Sequence, residues 1–400
     1  MRVLLIHNFY QQAGGEDTVF YQETNLLREN GVEVETLTFT NETFEGSLLN
    51  KLGSVTRSLY NTKSAARTEA VIDWFKPDVV HIHNLFYTAT AAVIRVAKVR
   101  GVPVVMTVHN YRLLCLNGLL MREGKVPCET CLTQMVPLAG IRHGCFRDSH
   151  LQSAQLSLIT TLHKLTGIWR SVDRFVVLTE FVRQKILASS LNLSTAQVVV
   201  KPNFVSDSGE ADATGRQDFF LYVGRLSGEK GIDVLLNAVR KSPFPLKIIG
   251  SGPLENKVLQ TAAAQSGIDY AGWQDRSAVT LAMKTCRALI VPSLCYEAAL
   301  PLVVLEAFAT GTPVICSDQG NLREVGEAPA AGHLFAPGNS DDLSRIIDQI
   351  NRQPELRERY AMASRQRYEP YSKEASHQAT LNLYETLIKG KKISNQAELS

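Results

Sequence analysis

Apolar residues along the chain gather into short runs separated by longer stretches with helical spacing. In the first half the runs are RVLLIH (2–7), VEVETL (32–37), DVVHIH (78–83), VPVVMT (102–107), DRFVVL (173–178) and QVVVK (197–201). Short, almost continuously apolar strands alternating with helices predict a parallel sheet covered on both faces. The pattern stops at SDSGEADATGRQD (206–218), which has no apolar period and reads as a linker, then restarts with FFLYVG (219–224), PLKIIG (245–250), ALIVP (288–292) and PVICS (313–317). The prediction is an α/β protein of two doubly wound, Rossmann-like domains, 1–205 and 218–370, joined by residues 206–217. Ligands are expected in the cleft between the domains, at the carboxyl ends of the strands. The stretch from about 341 to 389 is helical in pattern. Its last helix, 371–389, is expected to pack back towards the first domain, and the polar tail 390–400 to fray.

Composition narrows the class. A chain of 400 residues, 45% hydrophobic, suits two cores better than one. Lysine and arginine exceed aspartate and glutamate by 3, with no long basic run, so electrostatics call for no nucleic-acid partner. The opening MRVLLIHNF is too short for a signal h-region, and no stretch reaches the ~18 apolar residues of a membrane span. The expectation is a cytoplasmic protein, with peripheral contact on an anionic membrane face left open. Seven cysteines, an odd number, argue against a disulfide framework.

Three segments carry candidate chemistry. After the first strand, Gly14 and Gly15 precede Glu16, Asp17 and a helical pattern, so Gly15 can bring backbone N–H groups to an anion; a plain strand-to-helix turn, with ordinary first-turn acids, is the bland alternative. In LYVGRLSGEKGIDVLL a strand ends at Gly224, and Arg225 and Lys230 stand in a glycine-held loop as a fork and a point charge suited to a diphosphate; a solvated loop is the alternative. In VPSLCYEAALPLVVLEAFATGTPV a helix opening near Leu302 and Val303 behind Pro301 offers free N–H groups, and Glu306 one turn in can accept from a pair of ribose hydroxyls.

GRLSGEKG, IIGSGP (248–253, with Gly250) and PSLCYEAALPLVVLEAFATGTPV, in this order, resemble the retaining family 4 glycosyltransferases of the bacterial polysaccharide-biosynthesis type, which have the GT-B fold of two Rossmann-like domains facing across a cleft. GGED, DVVHIHN, MTVHNYRLLC and KPNFV extend the likeness over nearly the whole chain. The resemblance implies a nucleoside diphosphate sugar donor, a UDP-sugar, and a saccharide or lipid-linked saccharide acceptor. It implies that Arg225 and Lys230 hold the donor diphosphate, Glu306 the ribose, that Gly15 approaches the diphosphate and the sugar, and that His109 lies beside the sugar. It requires no catalytic metal and no further cofactor. One departure stands out: the family spaces its two glutamates by seven residues, whereas eight separate Glu297 from Glu306. Either Glu297 serves through a longer loop or the first carboxylate is missing; we expect Glu297 to hold sugar hydroxyls.

Cys115, Cys128, Cys131 and Cys145 cluster within one short insertion (115–145) and could hold a structural zinc ion, or remain reduced thiols. His81 and His83 alternate on one strand and share a face, as structural or acceptor-side residues. A stripe of Leu151, Ala154, Leu158, Leu162, Leu165 and Trp169, and a second segment over 48–67, could lie on an anionic membrane, though core-facing helices are the commoner source of such stripes. Two other functions compete: a nucleotide-sugar epimerase of the same build, and a non-catalytic nucleotide- or saccharide-binding protein. A dinucleotide oxidoreductase is disfavoured because no complete GxGxxG follows the first strand.

Overall fold

Every apolar run singled out above becomes a strand. The computed structural model describes residues 1–10, 14–41, 59–124, 126–212 and 215–397, with side chains as far as 391. The elements in chain order are β1 (Arg2–Phe9), α1 (Gly15–Glu29), β2 (Glu33–Thr40), α2 (Thr62–Phe75), β3 (Val79–Ile82), α3 (Ala92–Val99), β4 (Val104–Thr107), β5 (Met121–Arg122), β6 (Val126–Pro127), α4 (Leu138–Arg142), α5 (His150–Leu165), β7 (Arg174–Val177), α6 (Glu180–Leu187) and β8 (Val198–Val200). They continue with β9 (Phe220–Val223), α7 (Ile232–Lys241), β10 (Leu246–Ile249), α8 (Glu255–Ala264), β11 (Ile268–Gly272), α9 (Arg276–Thr285), β12 (Leu289–Val291), α10 (Leu302–Thr310), β13 (Val314–Ser317), β14 (Gly332–Phe335), α11 (Ser340–Arg352), α12 (Pro354–Gln366) and α13 (Lys373–Ala397).

The chain divides into two units. The first comprises residues 1–119, 129–202 and 376–400. Its six-stranded sheet has the order β2-β1-β3-β4-β7-β8 and every pairing is parallel. Val3 to Ile6 are wholly buried, as a central strand covered by helices on both faces requires. Tyr384 of α13 is also fully buried here, packed with Val3, Leu5 and Phe20, and its hydroxyl meets His81 Nδ1 at 2.6 Å.

The second unit comprises residues 120–128 and 203–375. Its sheet runs β11-β10-β9-β12-β13-β14, again all parallel. One core, with Ile232, Leu235 and Leu236 of α7 and Ile346 and Ile347 of α11, covers one face; the other face meets Val304, Leu305 and Phe308 of α10. The segment read as a linker runs along this unit. Asp207 takes both terminal nitrogens of Arg365 at 2.8 and 2.7 Å, Ala211 N–H donates to Thr310 O, and Arg216 donates to the carbonyls of Cys286 and Gly311.

Three features escape the sequence pattern: the edge strands β11 and β14, and the two-residue antiparallel ribbon β5-β6. Leu48, Lys51, Leu52, Val55 and Arg57 of the second amphipathic segment lie outside the described residues. No helix among the described residues is long and apolar enough to cross a membrane.

The pairing of β13 with β14 brings Gly332 so near its neighbour that a Cβ there would lie 1.7 Å from Val314 O, a backbone atom that cannot swing aside. Gly332→Ala should therefore destabilise the second unit by about 1–3 kcal/mol, read as a lower urea midpoint.

Candidate active site

In a doubly wound sheet the crevice for a ligand opens where the strand order reverses. In the second unit the reversal lies between β9 and β12, and the loops that leave those two strands carry the GRLSGEKG and PSLCYEAALP segments. They are sewn together. Leu294 N–H donates to Glu229 O at 2.8 Å, and Lys230 Nζ reaches Glu297 Oε1 at 2.6 Å. Gly231, at φ +72°, lies where a Cβ would come within 1.8 Å of Pro292 O, so only glycine permits this approach. The loop after β10 joins on: Leu226 N–H donates to Ser251 O, and a Cβ on Gly250 would strike Gly224 O at 1.9 Å. Gln319 and Asn321, after β13, donate to the carbonyls of Ser293, Cys295 and Glu297.

Each predicted donor-side residue thus has a place. Arg225 is exposed at the end of β9. Burial opposes the charge on Lys230, but the adjacent Glu297 carboxylate overrides it and holds the ammonium above its ordinary pKa. Glu297 also accepts from Ser293 Oγ at 2.8 Å. Glu306 lies on α10, which runs without interruption from Leu302 to Thr310, and Glu297 lies on the loop ahead of Pro301. Pro301 makes no side-chain cap, which leaves the N–H groups of Leu302 and Val303 without intrahelical acceptors. Burial raises the pKa of Glu306, and among the described residues no protein group bonds its carboxylate.

The first unit reverses between β1 and β3. Here Asn84 Nδ2 donates to Asn8 O at 2.7 Å, and His83 N–H to Ile6 O. Gly15 opens α1, and among the described residues a Cβ at Gly14 or Gly15 would meet nothing within 4 Å. Asp17 is buried, accepting from Gly14 N–H at 2.9 Å and meeting His7 Nε2 at 2.7 Å. His109 stacks on His83, with 3.1 Å between His109 Nε2 and His83 Nδ1. Burial drives His109 down to about 3, His81 to about 4, and His83 well below its usual value, so all three are neutral near pH 7. Beneath them Glu23 remains ionised against the cost of burial because Lys201 Nζ lies 3.1 Å away.

Glu16 is the residue that the sequence reading passes over as an ordinary first-turn acid. Asn84 and Asn110 donate to its two oxygens at 3.3 and 3.2 Å. Burial, then the neighbouring Asp17, lift its pKa to about 7 although Arg112 pulls the other way. The only advance signal was an acidic pair directly behind two glycines.

The four thiols proposed for zinc do not converge. None of the seven cysteines is in a disulfide, and among the described residues the one trio of ligand atoms mutually within 4.8 Å is Glu23, His81 and His83. Cys115 Sγ turns to Asn117 Oδ1 at 3.0 Å, and Cys128 sits at the β5-β6 ribbon, its N–H donating to Leu120 O, in the second unit while the other three belong to the first.

Comparison with known proteins covers both units. Residues 14–203 match the family model for a glycosyl transferase 4-like domain, and residues 207–367 that for glycosyl transferases group 1. The O-antigen chain mannosyltransferase C of Escherichia coli is 28% identical over 178 residues, 44% of this chain and 48% of the relative. The chain thus spans about half the length of the first curated relatives it matches. Among solved structures, a sucrose-phosphate synthase from Thermosynechococcus elongatus superposes with a TM-score of 0.70 at 17% identity, over 97% of this chain and 99% of that one. Anabaena HepE in complex with UDP gives 0.65 at 13% identity, over 96% and 100%. At these identities the likeness is one of fold, the GT-B class.

Glu16 has a measurable consequence. With its pKa near 7 rather than 4.5, the folded chain keeps a proton that the unfolded chain releases, so this group's contribution to stability is lost as pH rises from about 4.5 through about 7. Glu16→Gln should flatten that part of the stability profile, measured as urea midpoints on either side of the window.

Proposed function

We propose that this chain, which belongs to the family 4 type of glycosyltransferases, transfers a hexosyl group from a UDP-sugar to a hydroxyl of a saccharide or lipid-linked saccharide, with retention at the anomeric carbon, in cell-surface polysaccharide synthesis. The observation that carries the reading is that a charged Lys230, paired with Glu297, an uncapped helix start at Leu302 and Val303, and the unbonded carboxylate of Glu306 all lie on segments that follow the two switch-point strands of the second sheet. UDP in the complex of a structural neighbour supports the choice of nucleotide.

In this reaction Arg225 and Lys230 take the diphosphate oxygens and Glu306 the ribose hydroxyls. The two cations and the helix N-terminus stabilise the charge that grows on the leaving diphosphate, the task that a divalent cation performs elsewhere. The bond from the anomeric carbon to the phosphate oxygen breaks while the acceptor oxygen bonds the same face. The acceptor proton passes to the departing diphosphate, so no enzyme nucleophile is required. Glu297 has two tasks: it steadies Lys230 through Oε1, and it meets the hydroxyls of the sugar. Family resemblance assigns Gly15 to the diphosphate and sugar, and His109 to the sugar. A neutral imidazole at His109 can donate or accept there without adding charge.

Lys230→Ala should lower donor turnover by at least about 100-fold while the circular dichroism spectrum stays that of the parent, and Glu306→Gln should raise the donor KM with a smaller loss in kcat. Near-parent rates for Lys230→Ala would overturn the assignment. Formation of an isomeric nucleotide sugar with no acceptor present would favour an epimerase instead.

A further inference from the structure

Below His109 the first unit holds a column of buried polar groups that the transfer step leaves unused: His83 directly after β3, Glu23 of α1, and Lys201 directly after β8. Lys201 Nζ holds Glu23 Oε1 at 3.1 Å, and Glu23 Oε2 lies 3.8 Å from His83 Nε2. That nitrogen is buried and bonds no group among the described residues, so the carboxylate is what it faces. The other nitrogen, His83 Nδ1, meets His109 Nε2 at 3.1 Å, and the two rings stack. His81 is also close to Glu23, but both its nitrogens are engaged, by Tyr384 Oη and by Thr107 Oγ1. His109 Nδ1 has no bond among the described residues, and His109 is only partly buried, so a ligand can meet this atom.

A neutral imidazole carries one N–H and one lone pair, and a bond between two such rings needs one of each. Two arrangements satisfy the contact of His83 with His109. In the first, His83 Nδ1–H donates, and the lone pair on His83 Nε2 is then turned on the Glu23 carboxylate, negative towards negative. In the second, His83 Nε2–H points at the carboxylate, His83 Nδ1 accepts, and His109 Nε2–H donates. The ionised Glu23 selects the second, and burial sharpens the choice because little solvent screens the charge. We propose that Glu23 and Lys201 are positioning residues: acting through His83, they fix His109 as the Nε2–H tautomer, so that its Nδ1 presents a lone pair to the ligand. His109 then accepts from a hydroxyl and discriminates against a group that can only accept. That the hydroxyl belongs to the transferred sugar rests on the proposed function; the tautomer does not.

The test is nitrogen NMR of the full chain, near pH 7, with histidine labelled in its ring nitrogens. Couplings from the ring nitrogens to the carbon-bound hydrogens distinguish the tautomers, and the signals lost in His83→Phe and His109→Phe assign them. In the parent both rings should carry their proton on Nε2; a proton on Nδ1 of either, or on both nitrogens, would overturn the proposal whatever the variants do. Glu23→Met combined with Lys201→Met removes the two charges together and keeps the volume. His109 should then populate both tautomers, and an unchanged His109 spectrum in the folded variant would equally overturn it. In turnover, fluorine accepts poorly and cannot donate, so replacing the contacted donor hydroxyl by fluorine should cost the parent about five- to tenfold in kcat/KM. His109→Ala should show no such penalty at that position, and an equal penalty in both would count against the proposal. No turnover of any UDP-sugar, with the tautomers as stated, rejects the transferase reading alone; turnover with the opposite tautomers rejects the positioning role alone.

Discussion

Parallel strands cannot close on themselves through short hairpins. Each must return through a helix, so every strand in a sheet delivers its carboxyl end to the same edge. Both units obey this constraint, and the polar chemistry follows from it. Where successive crossovers leave in opposite directions, between β1 and β3 and between β9 and β12, two loops diverge and two helix starts are left beside a gap. Gly15 and Glu16 stand at the first gap; Lys230, Glu297 and the start of α10 stand at the second.

What keeps the second gap in shape is backbone contact rather than side-chain packing. Gly231 against Pro292 and Gly250 against Gly224 are approaches that a methyl group would forbid. They allow three loops to be tied by main-chain hydrogen bonds, on which the Lys230–Glu297 pair is then laid. An ion pair that is only partly shielded adds little stability. Its value here lies in position, since it fixes the end of a long flexible side chain before any ligand arrives.

Strands that lie in sheet interiors were legible because burial on both faces demands unbroken apolar runs, as in VVMT and LIV. The edge strands β11 and β14 were not, because IDYAG and GHLF are only partly covered and carry no such run. Donor-side chemistry could be read because its residues follow one another in two short segments. Glu297 shows how far counting reaches: the displaced spacing was visible, but whether loop or helix absorbed it depends on where α10 begins. Glu16 was hidden for a different reason, since its pKa is raised chiefly by burial and then by the adjacent Asp17, and the Asn84 and Asn110 side chains that meet it come from loops distant in the sequence. The cysteines left two readings open because closeness in sequence is not convergence in space. In the stripe along α5, Leu151, Leu158 and Leu165 are exposed while Trp169 is buried, because an amphipathic period says that a helix has two sides and not which of them meets the core.

The buried trio of Glu23, His81 and His83 has the spacing of a metal site, yet its carboxylate is already paired with Lys201. An ammonium group fixed 3.1 Å from the only carboxylate repels a second cation and already supplies the counter-charge that one would bring. Lys201 thus supplies the counter-charge of Glu23 from within the chain, and the imidazoles keep protein partners of their own, Tyr384 and Thr107 for His81 and His109 for His83.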